Sequence, residues 1–553
     1  MTAGCATSTR TIPPVEDLTL EEKVGQMIVP GGHGIFLNET SPAWKRLERE
    51  VRELRVGGFI WFVSNVYETA LLTERLQRMS RIPLLISADL EAGMGMRFLD
   101  TTFWPPSMAL AATGDPSLAE RQGANVAREA RAIGINHILA PVVDVNVDPD
   151  NPVINARSYG EDPERVGEFA AAFIRGVRSE GVLTTAKHFP GHGDTHVDSH
   201  RSLPVLEVDR ARLEKVELVP FRKAIEAGVD SVMIGHLSVP ALDSTPAPRL
   251  AGGERHNPYV AGESEAPEEA TLPATLSHPI IEGLLRRDLG FQGLVISDAF
   301  DMGGLTEHFD PGEAAVRGIE AGEDQILMSP NVPKAVEAVI EAVRAGRLPM
   351  ERIDRSVGRI LDAKRRVAFD VADTDEIFRL VDSEESRKVA GEIAQRAITL
   401  VRDGGTLPLR RDQRVALVIV TDSAEALNPL SQLEKQLKER LGVATRTWFV
   451  DSRSGEAEIA AIRTGAAEAD VVLFALAIRA RSGAGRLAMP DAAKRLIESW
   501  PGRSVVVSFG TPYILREIPS ATTYLCAYGP QPVLQTAAAR ALFGEAPIGG
   551  MLP

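Results

Sequence analysis

Short runs of β-branched and aliphatic residues alternate with longer amphipathic stretches over the first 350 residues of the chain. This alternation is typical of repeated βα units that build a parallel sheet. Eight strands are predicted, at Lys23–Val29, Val56–Val63, Pro83–Leu90, His137–Val145, Val182–Phe189, Ser231–Val239, Gly293–Phe300 and Asp324–Ser329. Eight strands separated by helices predict an α/β fold in which residues 1–350 form a (β/α)8 TIM-type barrel, with an open doubly wound sheet as the alternative.

The alternation of strand and helix patterns stops after Leu348. Residues 351–400 have the pattern of continuous helix with a charged face, and we interpret them as a helical connector. Five further strands alternate with helices beyond the connector, at Val415–Thr421, Thr445–Val450, Asp470–Leu476, Ser504–Phe509 and Thr522–Ala527. Residues 401–553 are therefore predicted to form a second, smaller domain, a doubly wound α/β sandwich. The Leu242–Ala274 segment has no period and is predicted to be a long loop.

Composition narrows the class of protein. The chain has 553 residues, with 61 Lys and Arg against 76 Asp and Glu, a formal charge of −15. An acidic chain without a basic stripe is a poor binder of nucleic acid. The longest apolar runs stay below about 18 residues, so we expect no membrane insertion. Cys5 and Cys526 are too few for a disulfide framework or a Cys-rich zinc site.

The first residues leave the cellular location open. Thr2-Ala3-Gly4-Cys5 resembles the end of a lipoprotein signal, although no apolar segment precedes it in this sequence. The default expectation is a cytoplasmic protein. A lipoprotein of the cell envelope is the alternative if a signal peptide was removed before Cys5.

Charged residues and imidazoles occur at the carboxyl ends of the predicted strands, where TIM-barrel enzymes carry their chemistry. Burying such groups costs free energy unless they are paired with opposite charges or take part in binding or catalysis. They are Asp89 and Glu91 after the third strand, Arg157 after the fourth, Lys187 and His188 on the fifth, His236 on the sixth and Asp298 on the seventh. We expect them to meet at one rim.

Four histidines recur at every fourth position after the fifth strand: His188, His192, His196 and His200. On a helix this spacing would form a metal-binding stripe. Pro190 and the glycines beside it are incompatible with a helix, which leaves a solvated polar loop or a catalytic pair. Asp198, two residues before His200, can favour its imidazolium and orient it for proton transfer.

Asp298 follows a buried strand, so its short carboxylate is held by rigid backbone. The residue could cap the turn that follows. It could also attack an anomeric carbon and hold a covalent glycosyl intermediate.

The stretch Lys187–His200, KHFPGHGDTHVDSH, resembles the signature of the β-N-acetylglucosaminidase branch of glycoside hydrolase family 3. Similar strings surround it in family order: PVVDVNVDPDNPVINARSYGEDP (141–163), SVMIGHLSVPALD (231–243), LPATLS (272–277), LLRRDLGFQGLVISDAFDM (284–302), AITLVRDGGTLPL (397–409) and PIGGMLP (547–553). The resemblance covers nearly the whole chain and implies the two-domain architecture.

The resemblance implies a role for each matching residue. Asp298 matches the nucleophile, His200 the general acid/base, and Asp198 its orienting partner. The positions that match the sugar-binding residues are Asp89, Arg97, Arg157, Lys187 and His188. His236 is a candidate for a supporting role. Met94 replaces a family arginine, which leaves the role of Glu91 open.

The expected reaction is a retaining double displacement on terminal β-linked N-acetylglucosamine, from peptidoglycan or chitin fragments, without metal or organic cofactor. The expected partner is a small carbohydrate, bound by a monomer or a homodimer. A phosphorylase that uses inorganic phosphate is one alternative, and a β-glucosidase of the same family is another. A metal-dependent hydrolase on a barrel often carries a His-x-His at the end of the first strand, where this chain has only His33. A carbohydrate-binding protein without turnover is disfavoured by the presence of both Asp298 and His200.

Overall fold

The computed structural model describes residues 11–248, 270–422, 428–441, 446–478 and 488–553. Cys5 and the middle of the predicted Leu242–Ala274 loop lie outside the described residues. Within the described ranges, no helix combines the length and apolarity needed to cross a membrane.

The first part of the chain is built on short parallel strands. These are β1 (Ile28–Val29), β2 (Gly31–His33), β3 (Gly58–Phe62), β4 (Leu85–Ala88), β5 (His137–Ile138), β6 (Leu183–Phe189), β7 (Ser231–Ile234), β8 (Leu294–Ser297) and β9 (Ile326–Leu327). The helices that connect or flank them are Leu20–Gln26, Pro42–Arg52, Val66–Met79, Ser107–Ala112, Pro116–Ala132, Pro163–Ser179, Arg210–Lys215, Leu218–Glu226, Gly303–Thr306, Pro311–Ala321 and Val332–Arg344, together with a π-helix at Pro279–Asp288.

The strands form a curled parallel sheet. Strands β2 to β8 pair in chain order, and β1 pairs in parallel with β9. A parallel bridge between Ile296 and Gln325 connects β8 to the segment that leads into β9. All the carboxyl ends therefore point to one side of the sheet. Each predicted strand from the second to the eighth overlaps an observed one.

The prediction of a strand over Lys23–Val29 was wrong for most of its length. Residues Leu20–Gln26 form a helix that begins with a capping box between Thr19 and Glu22. Val24, Met27 and Ile28 are buried at the i, i+3, i+4 spacing of a helix face, and only Ile28–Val29 pairs as a strand. The prediction failed because an apolar run this short is compatible with both a helix and a buried strand.

The prediction of continuous helix over residues 350–400 was also wrong. Three helices occupy this stretch, at Met350–Lys364, Thr374–Leu380 and Glu384–Ala397. The Asp373 side chain accepts a hydrogen bond from the Glu376 N–H, and Ser383 caps the next helix in the same way. These side chains bond the free N–H groups in the first turn of each new helix. Asp373 and Ser383 therefore mark the starts of two separate helices within a stretch that we predicted as one.

A second sheet follows, within what we call the second unit (residues 399–553). Its six strands are β10 (Thr399–Arg402), β11 (Val415–Thr421), β12 (Arg446–Val450), β13 (Val471–Ala477), β14 (Ser504–Ser508) and β15 (Tyr524–Cys526), in the order β10-β15-β14-β13-β11-β12. The main helices are Ser431–Arg440, Glu456–Ala466, Asp491–Glu498 and Pro532–Leu542. Only β10 is antiparallel to its neighbour, and it was not predicted.

The second unit packs against the first. Met108, Ala109 and Ala112 of the Ser107–Ala112 helix belong to the apolar core on one face of the second sheet. The Met551 N–H donates to the Ala112 carbonyl at 2.9 Å. The Ser107–Ala112 helix therefore joins the two units through apolar packing and a backbone hydrogen bond.

Candidate active site

A cavity of about 540 Å³ opens at the carboxyl ends of the first sheet. Seven of the eight predicted site residues line it: Asp89, Arg97, Arg157, Lys187, His188, His200 and Asp298. The eighth, Asp198, is buried and bonded to His200. The rim predicted from the sequence is therefore one continuous site.

Asp298 immediately follows β8, and both its backbone and its side chain are hydrogen-bonded. Its N–H donates to the Ile234 carbonyl at 2.8 Å, and its Oδ1 accepts from the Ala299 N–H at 2.8 Å. Burial alone would raise the pKa of Asp298, but electrostatic interactions with His188 and His236 and the hydrogen bond from the Ala299 N–H hold this pKa below its usual value. The carboxylate therefore stays ionised at neutral pH, as a nucleophile requires.

His236 supports the peptide next to this carboxylate. The ring is buried, and burial lowers its pKa. Nε2 lies 2.8 Å from the Ala299 carbonyl oxygen and Nδ1 lies 3.0 Å from Thr275 Oγ1. A carbonyl can only accept, so Nε2 carries the proton and Nδ1 accepts from the threonine hydroxyl. The geometry fits the supporting position expected of His236.

His200 and Asp198 form the predicted pair. The ring Nδ1 lies 2.8 Å from Asp198 Oδ1, and the same oxygen accepts the backbone N–H of His200 at 2.9 Å. The loop is anchored in turn, because the Gly303 N–H donates to the His200 carbonyl at 3.1 Å. With Nδ1 bonded to the carboxylate, Nε2 is the nitrogen positioned for proton exchange.

Two carboxylates and three cations form a connected network in the cavity. Lys187 Nζ lies 2.8 Å from Asp89 and 2.6 Å from Glu91. Arg97 bonds the second oxygen of Asp89 at 2.6 Å, and Arg157 binds Glu91 through two nitrogens, each at 2.8 Å. Burial opposes ionisation, yet these partners keep the pKa of Asp89 low and the pKa of Lys187 raised. The five groups carry a net charge of about +1 at neutral pH.

Glu91, whose role the sequence left open, is the centre of this network. Its side chain is 4% exposed and holds both Lys187 and Arg157. The sequence signal was its position two residues after Asp89 at the end of a buried strand. Met94, the residue that replaces a family arginine, is fully buried and packs in the apolar core.

Asp144 is a site residue to which sequence reasoning gave no role. Its carboxylate accepts from His188 Nδ1 at 2.7 Å and from the His192 N–H at 2.7 Å. The opposite ring nitrogen of His188, Nε2, accepts from Arg157 at 3.3 Å. Although burial alone would raise the pKa of Asp144, its bonds to His188 and His192 keep this pKa low. The signal available in the sequence was its place at the end of the fourth strand.

The other loop histidines have partners of their own. His192 contacts Thr195 Oγ1 at 2.8 Å and Ser199 Oγ at 3.0 Å, and burial lowers its pKa to about 4. His196 contacts Asp148 at 2.8 Å. Across the described ranges, no three His, Cys, Asp or Glu side chains are grouped to hold a metal ion. His192 and His196 are hydrogen-bonded to protein side chains instead.

The chain is similar to known proteins over most of its length. Residues 19–363 match the N-terminal domain of glycosyl hydrolase family 3. The chain is 31% identical over 551 residues to a β-N-acetylglucosaminidase/β-glucosidase from Cellulomonas fimi, covering 96% of this chain and 93% of that protein.

Solved structures give the same result. A glycoside hydrolase family 3 β-N-acetylglucosaminidase from Paenibacillus sp. str. FPU-7 matches with a TM-score of 0.82 and 32% identity, covering 97% of this chain and 98% of that one. A β-glucoside phosphorylase bound to 2FGlc matches with a TM-score of 0.83 and 28% identity, covering 98% and 94%. The similarity thus includes both units.

Proposed function

The chain belongs to glycosyl hydrolase family 3, and from that premise we propose that it removes terminal β-linked N-acetylglucosamine from glycosides by a retaining mechanism. Relatives named β-N-acetylglucosaminidase at 31% and 32% identity support the reaction and the sugar. Fragments of peptidoglycan or chitin, which carry this sugar, are the proposed substrates. No metal or organic cofactor takes part in the proposed steps.

The fold proposal is a closed (β/α)8 barrel over residues 1–350, a helical connector over 351–400 and a doubly wound sandwich over 401–553. Closure of the barrel is supported by the pairing of β1 with β9. It is also supported by the Ile296–Gln325 bridge between β8 and the residue that precedes β9. Two apolar clusters on opposite faces of the second sheet support the sandwich.

Asp298 is the proposed nucleophile. Its lowered pKa favours the ionised form that attacks the anomeric carbon. The leaving oxygen departs as the bond from Asp298 to the sugar forms, and the anomeric centre inverts. Water then displaces Asp298 and inverts it again, so that the product keeps the β configuration.

His200 is the proposed general acid and then general base. In its charged form it protonates the leaving oxygen, and in its neutral form it takes a proton from the attacking water. Asp198 fixes the ring through Nδ1 and stabilises the charged form. Each proton transfer contributes about 10²- to 10⁴-fold to the rate.

The charged network is the proposed sugar-binding surface. Asp89 can accept hydrogen bonds from hydroxyl groups, while Arg97, Arg157 and Lys187 donate them. His188, between Asp144 and Arg157, completes this surface. The side chains of this surface are already held by hydrogen bonds within the protein. Little side-chain entropy is therefore lost when the sugar binds.

The observation that carries the proposal is that Asp298 and the Asp198–His200 pair share one cavity with this network. The test is to trap the intermediate with a slow fluorinated substrate and to map the modified peptide. A mass increase of one glycosyl unit on Asp298 is expected, and proton NMR of early product should show the β anomer. A label on another carboxylate, or an α product, would reject the mechanism.

Phosphorolysis is the second candidate. It is supported by the similarity at 28% identity to a β-glucoside phosphorylase. A neutral imidazole does not repel phosphate as a carboxylate base would, and the network is net positive. If phosphate replaces water, turnover in phosphate buffer yields more sugar 1-phosphate than free sugar. Free sugar alone at all phosphate concentrations would leave hydrolysis as the reaction.

A further inference from the structure

A buried asparagine joins the loop that carries Arg157 to the loop that carries His200. Asn151 lies in the loop that follows β5, and it is fully buried. Its Nδ2 donates to the His192 carbonyl at 2.9 Å, in the loop that follows β6. Its Oδ1 accepts from the N–H groups of two residues of its own loop, Val153 at 2.9 Å and Ile154 at 2.8 Å. One amide therefore links the two loops through both of its polar atoms.

The acceptor side of this amide supports Arg157. The Arg157 N–H donates to the Ile154 carbonyl at 2.9 Å, and its Nη1 donates to the Val153 carbonyl at 3.1 Å. The Val153 carbonyl and the Ile154 N–H belong to the same peptide group. Asn151 and the Arg157 guanidinium therefore bond opposite sides of one peptide, and each of these bonds polarises the other. The position of the guanidinium is tied in this way to the position of Asn151.

The donor side of the amide supports the loop of His200. A carbonyl can only accept, so the Thr195 hydroxyl donates to the His192 carbonyl at 3.1 Å and accepts from the ring Nδ1 of His192 at 2.8 Å. The opposite ring nitrogen, Nε2, then accepts from Ser199 Oγ at 3.0 Å. Ser199 immediately precedes His200. The hydrogen bonds thus run from Asn151 through His192 to the residue beside the proposed acid/base.

The part that Asn151 can play follows from its burial and its chemistry. A fully buried side chain does not contact a sugar in the cavity, and a neutral amide is neither an acid nor a base. Asn151 instead fixes the separation between two groups on different loops. A misplacement of about 1 Å can lower a rate by about 10²-fold, so this separation bears on catalysis.

We propose that Asn151 is a positioning residue that sets the distance between Arg157, which binds the sugar, and His200, which protonates the leaving oxygen. The inference rests on the proposed function and adds to it a residue that acts through others. Loss of the Nδ2 bond alone would release the His200 loop. Loss of the whole side chain would release Arg157 as well.

Two variants separate the two sides of the amide. Asn151→Asp keeps an oxygen that accepts from Val153 and Ile154, but an ionised carboxylate cannot donate to the His192 carbonyl. We expect its kcat on an N-acetylglucosamine disaccharide to fall about 10- to 100-fold at nearly unchanged KM. First-step release of nitrophenol from an activated aryl glycoside, which needs little acid, should change much less. Asn151→Ala should show the same discrimination and also a raised KM on both substrates.

The ratio of the disaccharide rate to the aryl glycoside rate decides the outcome. If Asn151→Ala leaves this ratio at the wild-type value, then Asn151 does not act through His200 and the proposal is overturned. A double-mutant cycle makes the same test independently. In the His200→Ala background, Asn151→Asp should cause no further loss of kcat on the disaccharide, because the group that it positions is absent. Additive losses would contradict the proposal.

Asn136→Asp is the matched control. The Asn136 amide is also buried, accepts from the Ile86 N–H at 2.9 Å, and donates to the carbonyls of Leu84 at 3.4 Å and Ala368 at 3.3 Å. It immediately precedes β5, at the end of the sheet opposite the cavity. Asn136→Asp should therefore lower the melting temperature without changing the ratio of the two rates.

Hydrogen–deuterium exchange tests the link between the loops without any turnover. Asn151→Asp and Asn151→Ala should exchange faster than wild type over residues 190–204, and Asn136→Asp should not. If His200→Ala proves to have no effect on the disaccharide, the proposed function of His200 fails, while faster exchange in the Asn151 variants would still establish that Asn151 holds the loop. Unchanged exchange over residues 190–204 in both Asn151 variants would overturn the positioning role whatever the reaction.

Discussion

Asp198 Oδ1 accepts two hydrogen bonds from His200, one from its backbone N–H at 2.9 Å and one from its ring Nδ1 at 2.8 Å. The carboxylate therefore fixes both the loop and the imidazole that the loop carries. The side chain of Asp198 is fully buried, whereas that of His200 is 18% exposed on the cavity side. A buried anion beneath a partly exposed imidazole is an arrangement suited to proton exchange with a bound ligand.

The first prediction concerns this imidazole. In His200→Ala, kcat/KM on a disaccharide should fall by about 10²- to 10⁴-fold, because the leaving oxygen loses its proton donor. Activated aryl glycosides leave without protonation, so their first step should be much less affected. Pre-steady-state release of nitrophenol separates this step from hydrolysis of the intermediate. Equal losses in the first step on both substrates would show that His200 is not the acid.

The second prediction concerns Glu91. Glu91→Gln removes a charge that holds Lys187 and Arg157, and breaking a buried ion pair on one side costs about 3–5 kcal/mol. We expect a lower melting temperature and a raised KM, since both cations lose their alignment. Glu48→Gln is the matched control, because Glu48 is 41% exposed and pairs with Arg52 on the surface. Equal melting temperatures for the two variants would contradict the role given to Glu91.

The sequence was sufficient to locate the site because parallel strands end on one side. Asp89, Lys187 and Asp298 were each recognisable as charged residues after buried runs, and the topology alone brings them together. The pairing inside the site was not predictable. Whether Lys187 bonds Asp89, Glu91 or both depends on rotamers across neighbouring strands, which no periodicity encodes.

Two further kinds of feature could not be predicted from the sequence: contacts between distant residues and very short strands or helices. Gln531 of the second unit lines the catalytic cavity, whose other lining residues precede it by more than 200 positions, and nothing local distinguishes it from a helix cap. Strand β10 has only four residues, and it pairs antiparallel at one edge of the second sheet. The Lys23–Val29 run is too short for its period to separate helix from strand.

The third prediction concerns the pH dependence of the reaction. Asp301 lies three residues after Asp298, and burial raises its pKa to about 6. Above this pH its negative charge favours the charged form of His200, with which it interacts. Asp301→Asn removes that charge, so the alkaline limb of the kcat/KM profile should move to lower pH. An unchanged limb, or a shift to higher pH, would show that Asp301 does not influence the acid.

The last prediction concerns stability. The Glu50 side chain is 4% exposed, one of its oxygens has no partner in the described ranges, and burial raises its pKa to about 7 despite Arg46 nearby. Below about pH 4 the carboxyl is protonated in both the folded and the unfolded chain. As the pH rises to 7, the unfolded chain releases this proton and the folded chain retains it, so stability is lost over that interval. A shift from 4.5 to about 7 corresponds to about 3 kcal/mol as an upper bound.

Glu50→Gln removes the ionisation and keeps the shape of the side chain. Its melting temperature relative to wild type should therefore be higher at pH 8 than at pH 4.5, where the two proteins should differ little. Glu48→Gln, on the exposed face of the same helix, should show no such dependence, because its pairing with Arg52 is at the surface. If Glu50→Gln instead lowers the melting temperature more at pH 8 than at pH 4.5, then the ionised carboxylate stabilises the fold through Arg46. In that case the interaction with Arg46, and not burial, would dominate the pKa of Glu50.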